Sequence, residues 1–181
     1  MTMKSVRALE QKWSRSENEM LEKILSAEDC ARCEFCCSFR RQSLNLTPHF
    51  EKENIEKISR LYPEAEFKTL PDGAVTIDLD DKYVTDEVEE EALCYFNKKG
   101  CVLPEDLKPF DCKLWPFRLM KNGDSMSLAL VPSCPWIRKD DTSKLREVAA
   151  FVAKEAKGYA KDHPEIIIEY RDDYTVICER V

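Results

Sequence analysis

The chain has 181 residues, 43% hydrophobic and 35% charged, a balance that suits one folded domain with a real core and excludes a disordered segment. Its net charge of −7 argues against a bulk nucleic-acid binder, because neutralising phosphates needs a basic surface. Only four glycines occur, Gly73, Gly100, Gly123 and Gly158, each isolated, so no glycine-rich phosphate loop can form; neither a G-x-S-x-G elbow nor an H-E-x-x-H helix is present.

Residues 4–27 read as an amphipathic, core-facing helix, with Val6, Leu9, Trp13, Met20 and Ile24 at helical spacing and Ser16 interrupting the stripe. The start of the chain lacks the apolar core of a signal peptide, and no run of about 18 apolar residues occurs, so a cytoplasmic protein without membrane contact is expected. Next comes Cys30-Ala-Arg-Cys33-Glu-Phe-Cys36-Cys37, followed by Arg40-Arg41, a solvated polar segment. Thr47-Pro48 has the form of a helix start, and Phe50, Ile55, Ile58 and Leu61 carry that helix to a stop before Pro63. Pro71-Asp72-Gly73 signals a turn, and Val75, Ile77 and Leu79 alternate as in a half-buried strand. The acidic run Asp86–Glu91 reads as a solvated helix face.

From Cys94 to Phe117 the backbone is expected to be irregular, with a turn at Asn97-Lys-Lys-Gly100 and prolines at 104, 109 and 116. Such a segment, rich in Phe110, Leu114, Trp115 and Phe117, needs something besides a hydrogen-bond ladder to hold it. A hairpin around Asn122-Gly123 then delivers the chain to Cys134-Pro135. Residues 142–161 form a second amphipathic helix through Leu145, Val148, Ala149, Val152, Ala156 and Tyr159. Beyond Pro164, Ile166–Ile168 and Tyr174–Cys178 read as a terminal strand pair joined across Arg171-Asp172-Asp173. His49 and His163, beside Pro48 and Pro164, suit surface or capping roles. With no repeat and no clear linker, the fold class is α+β: one compact domain of amphipathic helices, short hairpins and cysteine-bearing loops around a metal site, with a cysteine core at 30–135.

Nine cysteines dominate the chemistry. In a reducing compartment, clustered thiols serve as metal ligands or redox groups rather than disulfides. On one straight helix Cys30 and Cys37 would lie about 10 Å apart along the axis, whereas sulfurs around one zinc sit about 3.8 Å apart. The run must therefore wrap, or divide between sites and recruit later cysteines. Cys30-x2-Cys33-x2-Cys36 has the spacing of a ferredoxin-type run, for which Cys134-Pro135 could supply the fourth ligand. Cys37 could then join Cys94, Cys101 and Cys112; other groupings, and a dithiol relay, stay open. Cys178, alone on an apolar strand, suits a core thiol.

The order Cys30, Cys33, Cys36, Cys37, then Leu46-Thr47 with Glu51, then Cys94 and Cys101, then Pro109, Cys112, Pro116 and Phe117, and finally Cys134 forms a set. It resembles the CxxCxxCC cysteine-cluster proteins of the YkgJ type, described as zinc- or iron-chelating domains. Lys108 and Lys113 stand where that family tends to have arginine, and Glu34 where it often has glycine. The resemblance implies metal chelation by the eight cysteines from Cys30 to Cys134. A related cluster in flagellin lysine methylases is part of a larger iron–sulfur enzyme. The expected function is therefore a protein holding an iron–sulfur cluster or iron, for electron transfer with an unidentified protein or redox partner or for a cluster-dependent reaction. The alternatives are a zinc-stabilised interaction module and a relative of a protein-modifying enzyme, though no adenosylmethionine pocket is visible in the sequence.

Overall fold

The structure, a computed structural model, describes residues 21–33, 35–42, 46–79, 84–88, 90–137 and 142–181, so residues 4–20 of the expected first helix lie outside the described set. The chain is α+β, as expected. Its contacts cluster into two compact units, Glu28–Cys112 and, separately, Lys113–Val181 with the segment ending at Ala27.

The first unit contains helix α1 (Ala27–Cys33), a 3-10 turn at Phe35–Cys37, strand β1 (Ser38–Arg40), helix α2 (Lys52–Leu61), and strands β2 (Phe67–Thr69), β3 (Val75–Ile77), β4 (Val84–Asp86) and β5 (Glu91–Leu93). β5 is the middle strand of an antiparallel sheet ordered β1-β5-β4, and β2 and β3 form a separate hairpin. Its turn falls at Pro71–Gly73, as expected, with Gly73 at φ +87 and its amide donating to the Leu70 carbonyl. The core gathers Phe50, Ile58, Ile77, Ala92, Phe96, Leu103 and Leu107, with Phe67, Tyr62 and Tyr95 packed against it. Phe50, Phe67 and Tyr62 all meet the Phe96 ring, at centroid distances of 5.8, 6.4 and 5.5 Å.

Two sequence expectations need correction here. The helix expected from Thr47-Pro48 begins at Lys52, with Glu51 in the capping position. Thr47 and Pro48 are buried instead: the Thr76 hydroxyl lies 2.6 Å from Thr47 Oγ1 and 2.9 Å from the Pro48 carbonyl oxygen, and the Phe50 amide donates to the Val75 carbonyl. A buried hydroxyl must find a partner, and satisfying Thr76 holds this segment extended alongside β3. Leu61, expected in the buried stripe, is exposed, while Ile55, Ile58 and Tyr62 face the core. The described residues of the acidic run are no helix either: Asp86 ends β4, Glu87 and Val88 lie in a turn, and Glu90, at φ 52, leads into β5 at Glu91. Ala92 is fully buried and pairs with Phe39 on one side and Val84 on the other. Two-sided pairing outweighs the local helix preference of glutamates.

The second unit is built on strands β6 (Phe117–Asn122) and β7 (Ser125–Leu130), the expected hairpin, turning at Gly123 with φ +61. Helix α4 (Thr142–Tyr159) packs on this sheet and buries Leu145, Val148, Ala149, Val152, Ala153 and Ala156; a short helix α3 (Phe110–Leu114) precedes β6. Strands β8 (Ile167–Ile168) and β9 (Thr175–Cys178) complete the sheet in the order β8-β6-β7-β9. The expected terminal pair therefore does not pair with itself. β8 adds parallel to β6 and β9 antiparallel to β7, because the hairpin offers two unsatisfied edges and each takes one strand. Past Leu21 the described residues do not continue the helix expected to residue 27. The Ile24 and Leu25 amides close a turn on the Leu21 carbonyl, Ile24 is buried, and Lys23 pairs with Glu147 of α4 at 2.7 Å. No helix among the described residues is long and apolar enough to cross a membrane.

Candidate metal centre

Seven of the nine cysteines, Cys30, Cys33, Cys36, Cys37, Cys94, Cys101 and Cys112, belong to the Glu28–Cys112 unit. The first four do not lie on one helix: α1 ends at Cys33, the 3-10 turn carries Cys36 and Cys37, and β1 follows at once. The change of backbone relieves the spacing problem of a straight helix. Cys37 is then pinned to Cys94, whose amide donates to the Cys37 carbonyl at 2.7 Å and adds a rung next to the Ser38–Leu93 pair.

Cys94 leads into a tight turn. The Asn97 amide donates to the Cys94 carbonyl at 2.9 Å, and Asn97 Oδ1 accepts from the amides of Lys99 and Gly100 at 3.1 and 3.2 Å. Lys99 and Gly100 adopt positive φ, and Asn97 bridges to Cys101 across the turn. Gly100 packs against α1 so closely that a Cβ there would lie 3.3 Å from Ala31 Cβ. Since Ala31 stands between Cys30 and Cys33, this contact sets Cys101 beside α1. From Cys101 the chain runs through Pro104, a 3-10 turn at Glu105–Leu107 and Pro109 into α3, where the Cys112 amide donates to the Pro109 carbonyl at 3.1 Å. Buried Leu103, Leu107 and Phe110 anchor this segment.

The thiols act on one another. Cys36 donates a hydrogen bond to the Cys30 sulfur, which holds the Cys30 thiol down to about 7; the nearby Lys108 charge acts in the same direction against burial and Asp29. Cys36, bonded to Cys30 and Cys37, is pushed far up. Burial drives Cys94 up to about 12, with Cys37 and Cys101 adding to it. Cys112 is pushed well up, by desolvation first and then by Cys94, Cys101 and Cys37, and Cys101 rises for the same leading reason. Both Cys101 and Cys112 keep open surface. Cys37 thus lies at the junction of two neighbouring sets, one with Cys30 and Cys36 and one with Cys94, Cys101 and Cys112. Among the described residues, no three His, Cys, Asp or Glu side chains already converge on one metal position.

Cys33 is half-buried at the end of α1, and Cys134 is buried in the other unit. Cys178 also belongs to that unit. It lies half-buried on edge strand β9, not in the core as expected, because the edge leaves one flank uncovered. Cys178→Ala is expected to leave metal content unchanged within error, read by elemental analysis of purified protein; loss of bound metal would make it a ligand.

One group escaped the sequence reading. His49 is not a surface residue: its ring nitrogens are both buried without a hydrogen-bond partner among the described residues. Its Nδ1 lies 3.7 Å from Asp111 Oδ2, and its amide donates to the same oxygen at 3.1 Å. Buried Pro48 and Phe50 on either side draw the ring inward, and no local signal pairs it with an aspartate 62 positions away. Lys108, already singled out in the sequence, pairs with Glu105 at 2.8 Å.

No family model matches the chain, and neither does any curated protein or solved structure. The likeness to YkgJ-type proteins accordingly rests on the sequence motifs alone.

Proposed function

We propose that this protein binds metal, as an iron–sulfur cluster or iron, through thiolates of the Glu28–Cys112 unit, with Cys37, Cys94, Cys101 and Cys112 as one ligand set and Cys30, Cys33 and Cys36 beside it. One observation carries the reading: thiols from separate stretches of chain lie close enough that Cys37 makes ionisation of Cys94, Cys101 and Cys112 harder, with Cys101 adding to it at Cys94 and both Cys94 and Cys101 at Cys112. Left to themselves, such thiols repel as thiolates. A bound cation reverses the sign of that interaction, and soft sulfur donors suit iron–sulfur clusters and zinc. The donor set therefore fits the group.

A cluster would supply one-electron chemistry. The chain's own residues would hold it: the Cys37–Cys94 backbone bond and the Gly100–Ala31 contact set the ligand spacing, and buried Leu103, Leu107 and Phe110 restrict water on the inner side. A reducing, cytoplasmic setting and an electron-exchanging protein partner belong to this reading. A zinc-stabilised module is the second reading. It is favoured by the position of Cys94, Cys101 and Cys112 along a segment with little regular structure, since closed all-thiolate sites contribute folding energy directly.

Purification without oxygen, followed by a visible spectrum and assays for iron, sulfide and zinc, tests both. A coloured protein with iron and sulfide is the expected result. Colourless protein with stoichiometric zinc would favour the module, and absence of any metal would overturn both readings.

A further inference from the structure

The backbone bond between Cys37 and Cys94 does more than add a rung. β1 and β5 pair Ser38 with Leu93, Phe39 with Ala92 and Arg40 with Glu91, and the Cys94 amide, donating to the Cys37 carbonyl at 2.7 Å, continues that register by one residue. At the other end the Arg41 amide donates to the Glu90 carbonyl at 3.0 Å and continues it again. The two cysteines therefore stand directly opposite each other on an antiparallel pair, and opposed residues place their side chains on the same face. Burial identifies that face: Ala92 and Cys94 belong to the core of this unit, and Cys37 and Phe39 pack against the same core. Cys94 is fixed from its other side as well, since its carbonyl receives the Asn97 amide at 2.9 Å.

Two opposed thiols on one face meet the backbone requirement for a disulfide. Directly opposed, hydrogen-bonded residues have Cα atoms about 5.5 Å apart, inside the range of about 4.4–6.8 Å that a disulfide spans. The vicinal Cys36 and Cys37, with Cα atoms about 3.8 Å apart, fall short of it. We propose that Cys37 and Cys94 are a redox-sensitive pair, which closes to a disulfide across β1 and β5 when a small-molecule disulfide such as oxidised glutathione reaches it, and which metal holds open by occupying both sulfurs. Cys37 is half-buried and Cys94 is buried, so Cys37 meets the oxidant first. Its sulfur loses a proton, attacks one sulfur of the oxidant and releases one glutathione thiolate, which takes up a proton. The Cys94 sulfur, deprotonated in turn, then displaces the second glutathione from Cys37. Two protein thiols have lost two electrons and two protons, and one oxidised glutathione has become two reduced molecules. The pairing itself needs no metal; that metal opposes it rests on the metal-binding reading above.

The test equilibrates full-length protein, purified without oxygen, against glutathione buffers of rising oxidised fraction. Free thiols are then alkylated and disulfides mapped by peptide mass spectrometry, while a chromogenic chelator reports metal set free. Protein as purified is compared with protein treated with EDTA. The expected result is one dominant link, Cys37–Cys94, with the loss of two alkylated thiols per chain. It should form at a lower oxidised fraction in the EDTA-treated sample, and in the other sample any bound metal should leave in step with it. Cys37→Ser and Cys94→Ser should each abolish the link. If Cys94→Ser, a core substitution, fails to fold, Cys37→Ser at the half-buried partner gives the same reading. Exposure alone makes the contrary prediction, because Cys101 and Cys112 keep open surface and would be oxidised first. Dominance of any other pair, Cys30–Cys33 or Cys101–Cys112 included, overturns the proposal, as do glutathione adducts or free thiols with no internal link in either sample. Protein that carries no metal yet closes Cys37–Cys94 keeps the proposal and defeats the metal-binding reading. Protein that carries metal but links another pair defeats the proposal alone.

Discussion

Cys37→Ser is expected to strip most of the metal from the protein and to lower its stability by about 3 kcal/mol or more. Metal-binding free energy in preformed thiolate sites is folding free energy, of order 10–16 kcal/mol for structural zinc, and a serine hydroxyl is a poor ligand for soft metals. Cys37 carries the largest expected effect because it adjoins both neighbouring sets, bonding Cys36 and acting on Cys94, Cys101 and Cys112. The substitution leaves the backbone carbonyl that receives the Cys94 amide in place, so the β1–β5 pairing survives and any loss reports on the sulfur. Elemental analysis and denaturant unfolding of the purified variant are the measurements. Retention of metal at the level of the unaltered protein would remove Cys37 from the ligand set.

Gly100→Ala is expected to cost about 2 kcal/mol, or roughly 4–8 °C in Tm for a chain of this size, and also to weaken metal retention. Two effects add at this position. Gly100 sits at φ +115, where an L side chain is strained, and its new methyl group would meet Ala31 Cβ at 3.3 Å. Relief of that contact moves the Asn97–Cys101 turn away from α1, and with it Cys101 away from Cys30. Gly73→Ala is the natural comparison, being strained at φ +87 but with nothing within 4 Å of its Cβ. It should lower Tm while leaving metal retention alone. Equal metal retention in the two variants would mean that the packing of the turn on α1 does not govern the thiol arrangement. Thermal unfolding together with the EDTA extraction rate separates these outcomes.

The elements legible in the sequence share one trait, a local cause. Gly73, Gly100 and Gly123 take the positive φ that their turns require, so the β2–β3 turn, the Asn97 turn and the β6–β7 hairpin all stand where the glycines stand. The stripe of Leu145, Val148, Ala149, Val152 and Ala156 needs only a surface to pack on, and it forms α4 within two residues of its expected end. The misplaced elements each had a distant cause. The buried Thr76 hydroxyl draws Thr47 and Pro48 out of a helix start 29 positions earlier. The acidic run becomes a hairpin because β5 is paired on both sides. The last two strands part company because β6 and β7 each present an open edge.

The candidate centre divides in the same way. The chemistry was readable from the chain, because a vicinal cysteine pair within a C-x2-C-x2-C run has few uses other than soft-metal binding or redox exchange, and because one straight helix cannot bring Cys30 and Cys37 to a single ion. The sequence thus determined by itself that the run must wrap, or else divide between sites and recruit later cysteines, and that no glycine-rich phosphate loop can form. Only the tertiary structure decided which thiols are neighbours: the Cys37–Cys94 backbone bond and the Gly100–Ala31 contact depend on segments that meet only after folding. The reason is physical. Bond geometry and side-chain chemistry act over a few residues and are written locally, whereas proximity in space is set by hydrogen-bond satisfaction and burial, which the chain settles as a whole.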